Sequence, residues 1–430
     1  MAVTGCQTAL PARTVASVSA SLGERSGAMT ELKSVSPVPV LPPGASLSHA
    51  LTSDEAVAIG LYNNPAFQEL LVDLGLARGD LIQAGLLPNP ELVYYFGVSD
   101  KPFKYLLDFP IEALWLRPIK VRAATADSDR AAQRLTQGGL DLIRDVRQAH
   151  ADVLLAKERV RIAGESVKLR GTISSLAEKR LKAGDISPQE AATARIDALQ
   201  AEQDAARVGY EVSIAMERLR NLIGLGVCRE PLEVEQSVPP ECRLLSIDEI
   251  AAESQRSRPD ALAAQSAVDA AEARLHFSKL GWVRFLGILD ATSGRNGHEF
   301  GPALRFTLPI FNRNQGGIAR AEAEYEKALR NRETVANQIA LDVQRSYLLY
   351  RQTCTELEFL RVKVRPEVEA AIRRAQGAYQ EGNVAIFIVL ETTRQLLDNY
   401  LREAQLVADL RRNWAELERS AGRRLGTVSP

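Results

Sequence analysis

The sequence repeats one ordered set of short segments, and this duplication constrains the fold more than any other feature. Leu51-Thr52-Ser53-Asp54-Glu55 returns as Leu245-Ser246-Ile247-Asp248-Glu249, and Asn64-Pro65 returns as Arg258-Pro259. The offset stays between 194 and 199 residues as far as the last matching pair, Gly224 and Gly422. Self-similarity at a nearly fixed period is typical of repeated architecture. We therefore predict a first repeat at residues 51–224, a connector at 225–244, a second repeat at 245–422 and a tail at 423–430.

The composition excludes several classes of function. The 430 residues carry a formal net charge of −1, which offers no basic footprint for a nucleic acid partner. The four histidines do not have metal-ligand spacing, so neither a resident metal nor a cofactor is expected. No nucleophile, base and orienting group can be assembled into a catalytic set, which argues against an enzyme. The sequence also lacks a run of about 18 apolar residues, so no transmembrane helix is predicted.

The N-terminal residues resemble a lipoprotein processing site followed by a tether. Val3-Thr4-Gly5-Cys6 places small residues before a cysteine, so we expect Cys6 to be lipidated. The alternative is a cysteine that stands there by chance. Residues 8–44 are rich in Ser, Ala, Pro and Val without helical periodicity, which favours a flexible or extended tether within residues 1–50.

The other three cysteines leave their pairing open. Cys228 and Cys242 both lie in the connector, where an oxidising compartment would allow them to close a short loop. Cys354 lies in a helical pattern, and we expect it to be a small buried apolar residue.

Each repeat begins with two short helices and continues with a β-hairpin. Ser53 and Ser246 precede acidic residues, which predicts N-caps with acids in the first helical turn. Pro65 and Pro259 suit the first position of the second helix. The residue pattern then changes to aromatic and aliphatic runs bounded by turn residues, which predicts hairpins at about 91–115 and 284–308.

The last predicted strand alternates with a period of two. One face carries Phe300, Leu304, Phe306 and Leu308, and the other carries Glu299, Arg305 and Thr307. A half-buried strand of a soluble sheet would give the same pattern. Four strands in one chain cannot close a barrel, however, and open edges are very costly in lipid. Three chains would supply twelve strands, so we predict that several chains share one membrane barrel.

Long helices follow each hairpin. Residues 119–223 and 315–421 are rich in Ala, Leu, Arg, Glu and Gln, and each contains a first helix of about 65 residues, on the order of 100 Å. Such lengths favour a coiled coil or a helical tube. The chain reverses at Gly184 and Gly382, which we expect to be left-handed C-caps. The first return helix has a narrow apolar face formed by Ala192, Ile196, Leu199, Gln203 and Ala206. The predicted fold class is mostly α with a small β part.

The order of these elements resembles the TolC-like outer membrane efflux proteins over residues 51–422. The segments Gln83-Ala84-Gly85-Leu86-Leu87-Pro88-Asn89-Pro90-Glu91-Leu92 and Arg180-Leu181-Lys182-Ala183-Gly184-Asp185-Ile186-Ser187-Pro188 look like the CzcC-like branch, which serves heavy-metal efflux. The resemblance implies an outer membrane homotrimer in which a twelve-stranded barrel continues into a periplasmic helical tunnel. It also implies that turns at Gly184, Asp185, Gly382 and Asn383 meet a membrane-fusion adaptor, which connects to an inner membrane pump.

The resemblance also implies a position for the tunnel constriction. Many members carry acids six and nine residues after the turn glycine of the second repeat, and here these positions are Ile388 and Glu391. The equivalent positions of the first repeat are Glu190 and Thr193. We expect Glu391 to form a single ring of charge, since such rings select ions. The alternative for Glu391 and Glu190 is a solvated helix surface.

The expected function is a passive exit duct of a tripartite efflux system, with metal cations as the first candidate cargo. A duct for drugs or other small organic compounds is one alternative. A periplasmic structural coiled coil without a channel is another, although it would not need the hairpins.

Overall fold

The computed structural model describes residues 13–27, 32, 40–43, 45–97, 103–228, 230–282, 284–294 and 297–425. Cys6 lies outside the described residues, so its lipidation stays a prediction. Among the described residues, none of the helices has a segment both long and apolar enough to cross a membrane.

The helices and strands form two sets that follow each other along the chain. The first set consists of α2 (Ser53–Asn63), α3 (Pro65–Gly85), β1 (Glu91–Tyr95), β2 (Lys104–Pro110), α4 (Ala113–Ala183) and α5 (Pro188–Leu222). The second set consists of α6 (Ile247–Ser257), α7 (Pro259–Leu280), β3 (Phe285–Gly294), β4 (Gly297–Phe306), α8 (Gln315–Phe359), α9 (Arg365–Gln380) and α10 (Ile386–Ala421). Helix α1 (Val15–Ser26) precedes both sets.

The chain divides into two compact units that do not coincide with the repeats. The sheet unit comprises Met1–Val18, Glu69–Gln137 and Gln255–Ile339. The helical unit comprises Ser19–Gln68, Gly138–Ser254 and Ala340–Pro430. Each unit therefore takes segments from both repeats, because equivalent elements of the two copies fold together.

The two hairpins form one antiparallel sheet in the order β1-β2-β3-β4. The first hairpin ends at Pro110 instead of residue 115, and the following helix begins at Ala113 instead of residue 119. The backbone amide of Ile111 donates to the carbonyl of Phe285 at 2.9 Å, after which the chain turns into α4. Pro118, which precedes the predicted start of the long helix at residue 119, lies inside this helix. Proline has no backbone amide hydrogen, so Pro118 removes one hydrogen bond near the start of this 71-residue helix. The other turns keep the helix intact.

The predicted tether contains a helix. In the helical unit, Leu22 of α1 is fully buried, and its methyl groups lie where a side chain at Gly139 would project, beside Phe67. This burial explains why α1 forms in a segment without clear periodicity, since tertiary packing supplies most helical stability. The N-cap of α2 is Thr52 instead of Ser53. The side chain of Thr52 accepts from the amide of Glu55, whose carboxylate accepts in return from the amide of Thr52.

The long helix of the second repeat is interrupted where that of the first repeat is continuous. A π-helical turn at Leu360–Val364 separates α8 from α9. Pro366 lies two residues after the end of this turn and lacks the amide that would continue the α-helical hydrogen bonds. The local change of helical geometry therefore lies beside the proline of this helix.

The disulfide joins the connector to a helix of the second repeat. Cys242 of the connector forms a disulfide with Cys354 of α8, 112 residues away in sequence. Cys228 is the free cysteine of the described residues, so Cys228 and Cys242 do not pair. Cys354 is buried as expected, but it is a bridge to the connector as well as an apolar side chain. The spacing could not reveal this contact, since it depends on the connector returning to α8.

Candidate functional site: the interhelical turns and the two-faced sheet

The two interhelical turns of the helical unit have the same backbone geometry. Gly184 and Gly382 have φ angles of +82° and +81°. The amide of Asp185 donates to the carbonyl of Arg180 at 2.9 Å, and the amide of Asn383 donates to the carbonyl of Ala378 at 2.8 Å. These hydrogen bonds close the ends of α4 and α9 as left-handed glycine caps do.

Arg180 brings the two turns together. Its Nη1 donates to the carbonyl of Tyr379 at 3.0 Å, and its guanidinium lies 4.8 Å from the centre of the Tyr379 ring. On the other side, its Nε is 3.9 Å from the carboxylate of Asp185. A Cβ added at Gly382 would meet Arg180 Nη2 at 3.5 Å. All four predicted turn residues therefore belong to one small region, and Arg180 is the residue that sequence reasoning missed there.

An apolar cluster beneath the turns fixes the two helical hairpins against each other. Its buried members come from α4, α5, α9 and α10, and they are Ile173, Ala177, Ala194, Ala375, Tyr379, Ile386 and Val389. The four helices approach closely because three of these residues are alanine. The turns are thus presented at the end of a packed four-helix segment.

The predicted constriction residues lie on the first turns of α10. Ile388 is 46% exposed, and Phe387 beside it is 69% exposed. The carboxylate of Glu391 is 3.0 Å from Nη2 of Arg394 and also accepts a hydrogen bond from Gln395 at 3.3 Å. Its charge is therefore paired within its own helix.

The equivalent glutamate of the first repeat has a capping role. The carboxylate of Glu190 accepts from the backbone amide of Ser187 at 2.9 Å, and the Ser187 side chain accepts from the amide of Glu190 at 3.2 Å. This reciprocal arrangement is a capping box for α5. Thr193 donates to the carbonyl of Gln189, so it too is engaged within the helix.

The sheet has two chemically different faces. Strand register places an uncharged, largely apolar set on one face: Leu92, Tyr94, Tyr105, Leu107, Phe109, Phe285, Gly287, Leu289, Ala291, Phe300, Pro302, Leu304 and Phe306. The other face contains all the charged strand residues that the structure describes: Glu91, Lys104, Asp108, Asp290, Glu299 and Arg305. The period-two prediction for β4 is confirmed, although the strand ends at Phe306, before Thr307 and Leu308.

Ion pairs cross the charged face from strand to strand. Lys104 Nζ lies 2.9 Å from Asp290, and Arg305 Nη1 lies 3.7 Å from Asp108. On the apolar face, Phe300 is 73% exposed and Leu304 is 56% exposed. Strands with one apolar and one polar face are typical of a barrel wall between lipid and an aqueous interior. The fold and the sheet therefore define a subunit of a membrane channel.

The chain belongs to the outer membrane efflux protein family, whose model matches residues 115–225 and 251–423. The cobalt-zinc-cadmium resistance protein CzcC of Cupriavidus metallidurans is 25% identical over 403 residues, which cover 90% of this chain and 93% of CzcC. The solved structure of CusC is similar at a TM-score of 0.74 and 18% identity, covering 86% of this chain and 91% of CusC. That of the outer-membrane channel OprN has a TM-score of 0.75 at 18% identity, covering 91% of this chain and 99% of OprN.

These findings confirm the predicted family, fold class and location. The chain is an outer membrane efflux channel with a helical periplasmic part. Its family consists of channel proteins instead of enzymes, and a structural coiled coil without a channel is no longer a competing interpretation.

Proposed function

We propose that three copies of the chain form a passive exit duct that receives its cargo from a periplasmic adaptor and an inner membrane pump. The observation that carries this proposal is the two-faced sheet with an open edge on β1 and another on β4. Unpaired backbone groups are very costly in lipid, so the edges require partner strands. Three chains with four strands each supply a twelve-stranded barrel, which lies within the observed range.

The helical unit offers a second surface for self-association. The apolar face predicted for α5 points outward in the single chain, where Ile196 is 56% exposed and Leu199 is 57% exposed. The buried side of the same helix is formed by Ala191, Ala194, Ala201, Val208, Ala215 and Leu219. Helix α8 likewise exposes Leu341 and Leu348 at heptad spacing. Such apolar surfaces favour coiled-coil contacts between neighbouring copies.

The size of the detergent-extracted protein tests the assembly. We expect light scattering to give the mass of three chains for the wild type. Leu199→Glu, which places a charge on the outward face of α5, should shift the population towards smaller species because a buried unpaired charge is costly. Leu244→Glu is the matched control, since Leu244 is 80% exposed in the connector. A wild-type monomer that stays soluble without detergent and keeps its native helix content would contradict the proposal.

We also propose metal cations as the cargo and the turns at Gly184, Asp185, Gly382 and Asn383 as the adaptor contact. Support for the cargo comes from CzcC, which is described as a cobalt-zinc-cadmium resistance protein. In a host that lacks the gene, expression of the chain with its own adaptor and pump should raise tolerance to cobalt, zinc or cadmium salts. The same cells should be tested with organic drugs, and protection confined to the drugs would replace this cargo with the alternative one.

A further inference from the structure

A cleft in the helical unit contains basic groups that the efflux function does not explain. It has a volume of about 940 Å³ and is lined by α4, the connector, the segment around the π-helical turn and α10. Five basic residues and three acidic residues line it: Lys157, Arg161, Arg361, Arg365, Arg411, Glu158, Glu165 and Glu403. The lining therefore carries an excess of positive charge.

Most of these charges are paired with each other. Arg161 contacts Glu158 at 2.6 Å and Glu165 at 2.5 Å. Arg361 and Arg365 share Glu403 at 2.8 and 3.0 Å. Three of the five cations are thus neutralised within the cleft. The excess charge resides on the other two, Lys157 and Arg411.

In the part of the chain that the structure describes, Lys157 and Arg411 donate hydrogen bonds to carbonyl groups of the connector. Lys157 Nζ donates to the carbonyl of Val234 at 3.0 Å, and Arg411 Nη2 donates to the carbonyl of Ser237. Within the described part of the chain, neither forms an ion pair with a carboxylate. Burial lowers the pKa of Arg411, and its Nε is buried without a hydrogen-bond partner. A desolvated guanidinium of this kind is costly unless an anion is available.

We propose that the cleft between α4, α10 and the connector binds a small oxyanion, a carboxylate or a phosphate, through Arg411 and Lys157. A guanidinium presents five donors in a planar fork that matches the geometry of both groups, and an ammonium adds a second point charge. The bound anion would replace the missing counter-charge.

Isothermal titration calorimetry on the detergent-extracted full-length protein tests this site. Inorganic phosphate and acetate are titrated separately, against sodium chloride at matched ionic strength. We expect saturable binding of at least one oxyanion and none of chloride. Phosphate binding alone defines a phosphate site, and acetate binding defines a carboxylate site.

Two variants locate the binding. Arg411→Gln should weaken it by about tenfold or more, since a charge-assisted hydrogen bond is lost. Val238→Glu places a carboxylate at the mouth of the cleft, where Val238 is 90% exposed, and should abolish binding without disturbing the core. Arg330→Gln, which removes an exposed charge in the sheet unit, is the matched control and should bind as wild type. Absence of saturable binding, or equal binding in Val238→Glu and wild type, would overturn the proposal.

Discussion

At the scale of single residues, the electrostatic effect of a charged side chain depends on whether an opposite charge pairs with it. Glu391 is the one acid at the positions that the family resemblance assigns to the constriction. Arg394 pairs with it, which reduces the negative electrostatic potential that Glu391 alone would produce. The two residues are three positions apart on one helix face, so this pairing follows from helical geometry. The pairing could therefore be predicted from the sequence, because Arg394 lies one helical turn after Glu391.

The Glu391–Arg394 pair predicts opposite effects of two single substitutions on ion selectivity. Glu391→Gln leaves Arg394 unpaired and should lower the cation-to-anion permeability ratio, by about twofold given the worth of an exposed ion pair. Arg394→Gln leaves Glu391 unpaired and should raise the ratio by a similar factor. The measurement is the reversal potential of the reconstituted channel in asymmetric salt. Equal reversal potentials for wild type and both variants would show that this pair lies on a solvated surface away from the ion path.

Arg180 illustrates a limit of sequence reading at the same scale. The turn glycines could be predicted because a left-handed C-cap requires a positive φ angle, which glycine adopts without steric strain. The role of Arg180 could not, since it depends on Tyr379, a residue of the other repeat that lies 199 positions away. The periodicity of one repeat does not indicate which residues of the other repeat it contacts.

At the scale of elements, the type and order of most helices and strands could be predicted, whereas their ends and attachments could not. The hairpins could be predicted from period-two alternation and from their turn residues. Helices α4 and α8 could be predicted from long runs of helix-forming residues. Residues Val15–Ser26 of the predicted tether form α1, which the sequence did not predict, because Leu22 packs beside Gly139. The sequence allowed a short loop between Cys228 and Cys242 in the connector, but the disulfide joins Cys242 to Cys354 of α8.

The disulfide predicts a measurable contribution to stability. It closes a segment of 112 residues, and a bridge of this kind typically contributes about 2–4 kcal/mol to the free energy of unfolding. Cys242→Ser combined with Cys354→Ser should therefore lower the thermal unfolding midpoint, and a reductant should do the same to the wild type. Cys228→Ser is the control and should not change the midpoint, since Cys228 is free. If the double variant and wild type unfold at the same temperature, the bridge does not constrain the unfolded chain.

At the scale of the whole molecule, duplication could be predicted from sequence, but the way in which the copies combine could not. Equivalent segments of both repeats enter each compact unit, so neither repeat forms a unit by itself. The sheet shows the reason, because β2 of the first copy pairs with β3 of the second over seven residue pairs. A single copy would leave that edge exposed. The unit of folding is therefore the duplicated chain.

The strand count also has a consequence for symmetry. Four antiparallel strands are an even number, so β1 and β4 run in opposite directions. When identical copies are placed in a ring, each β4 meets the β1 of its neighbour in the antiparallel sense, and no copy needs to be inverted. Such head-to-tail junctions close by rotation, and every copy takes part in two of them. In a ring of three, one defective copy therefore disturbs two of the three junctions. At equal expression of normal and defective chains, only about one ring in eight would be free of defects, so interface variants of this protein should be genetically dominant.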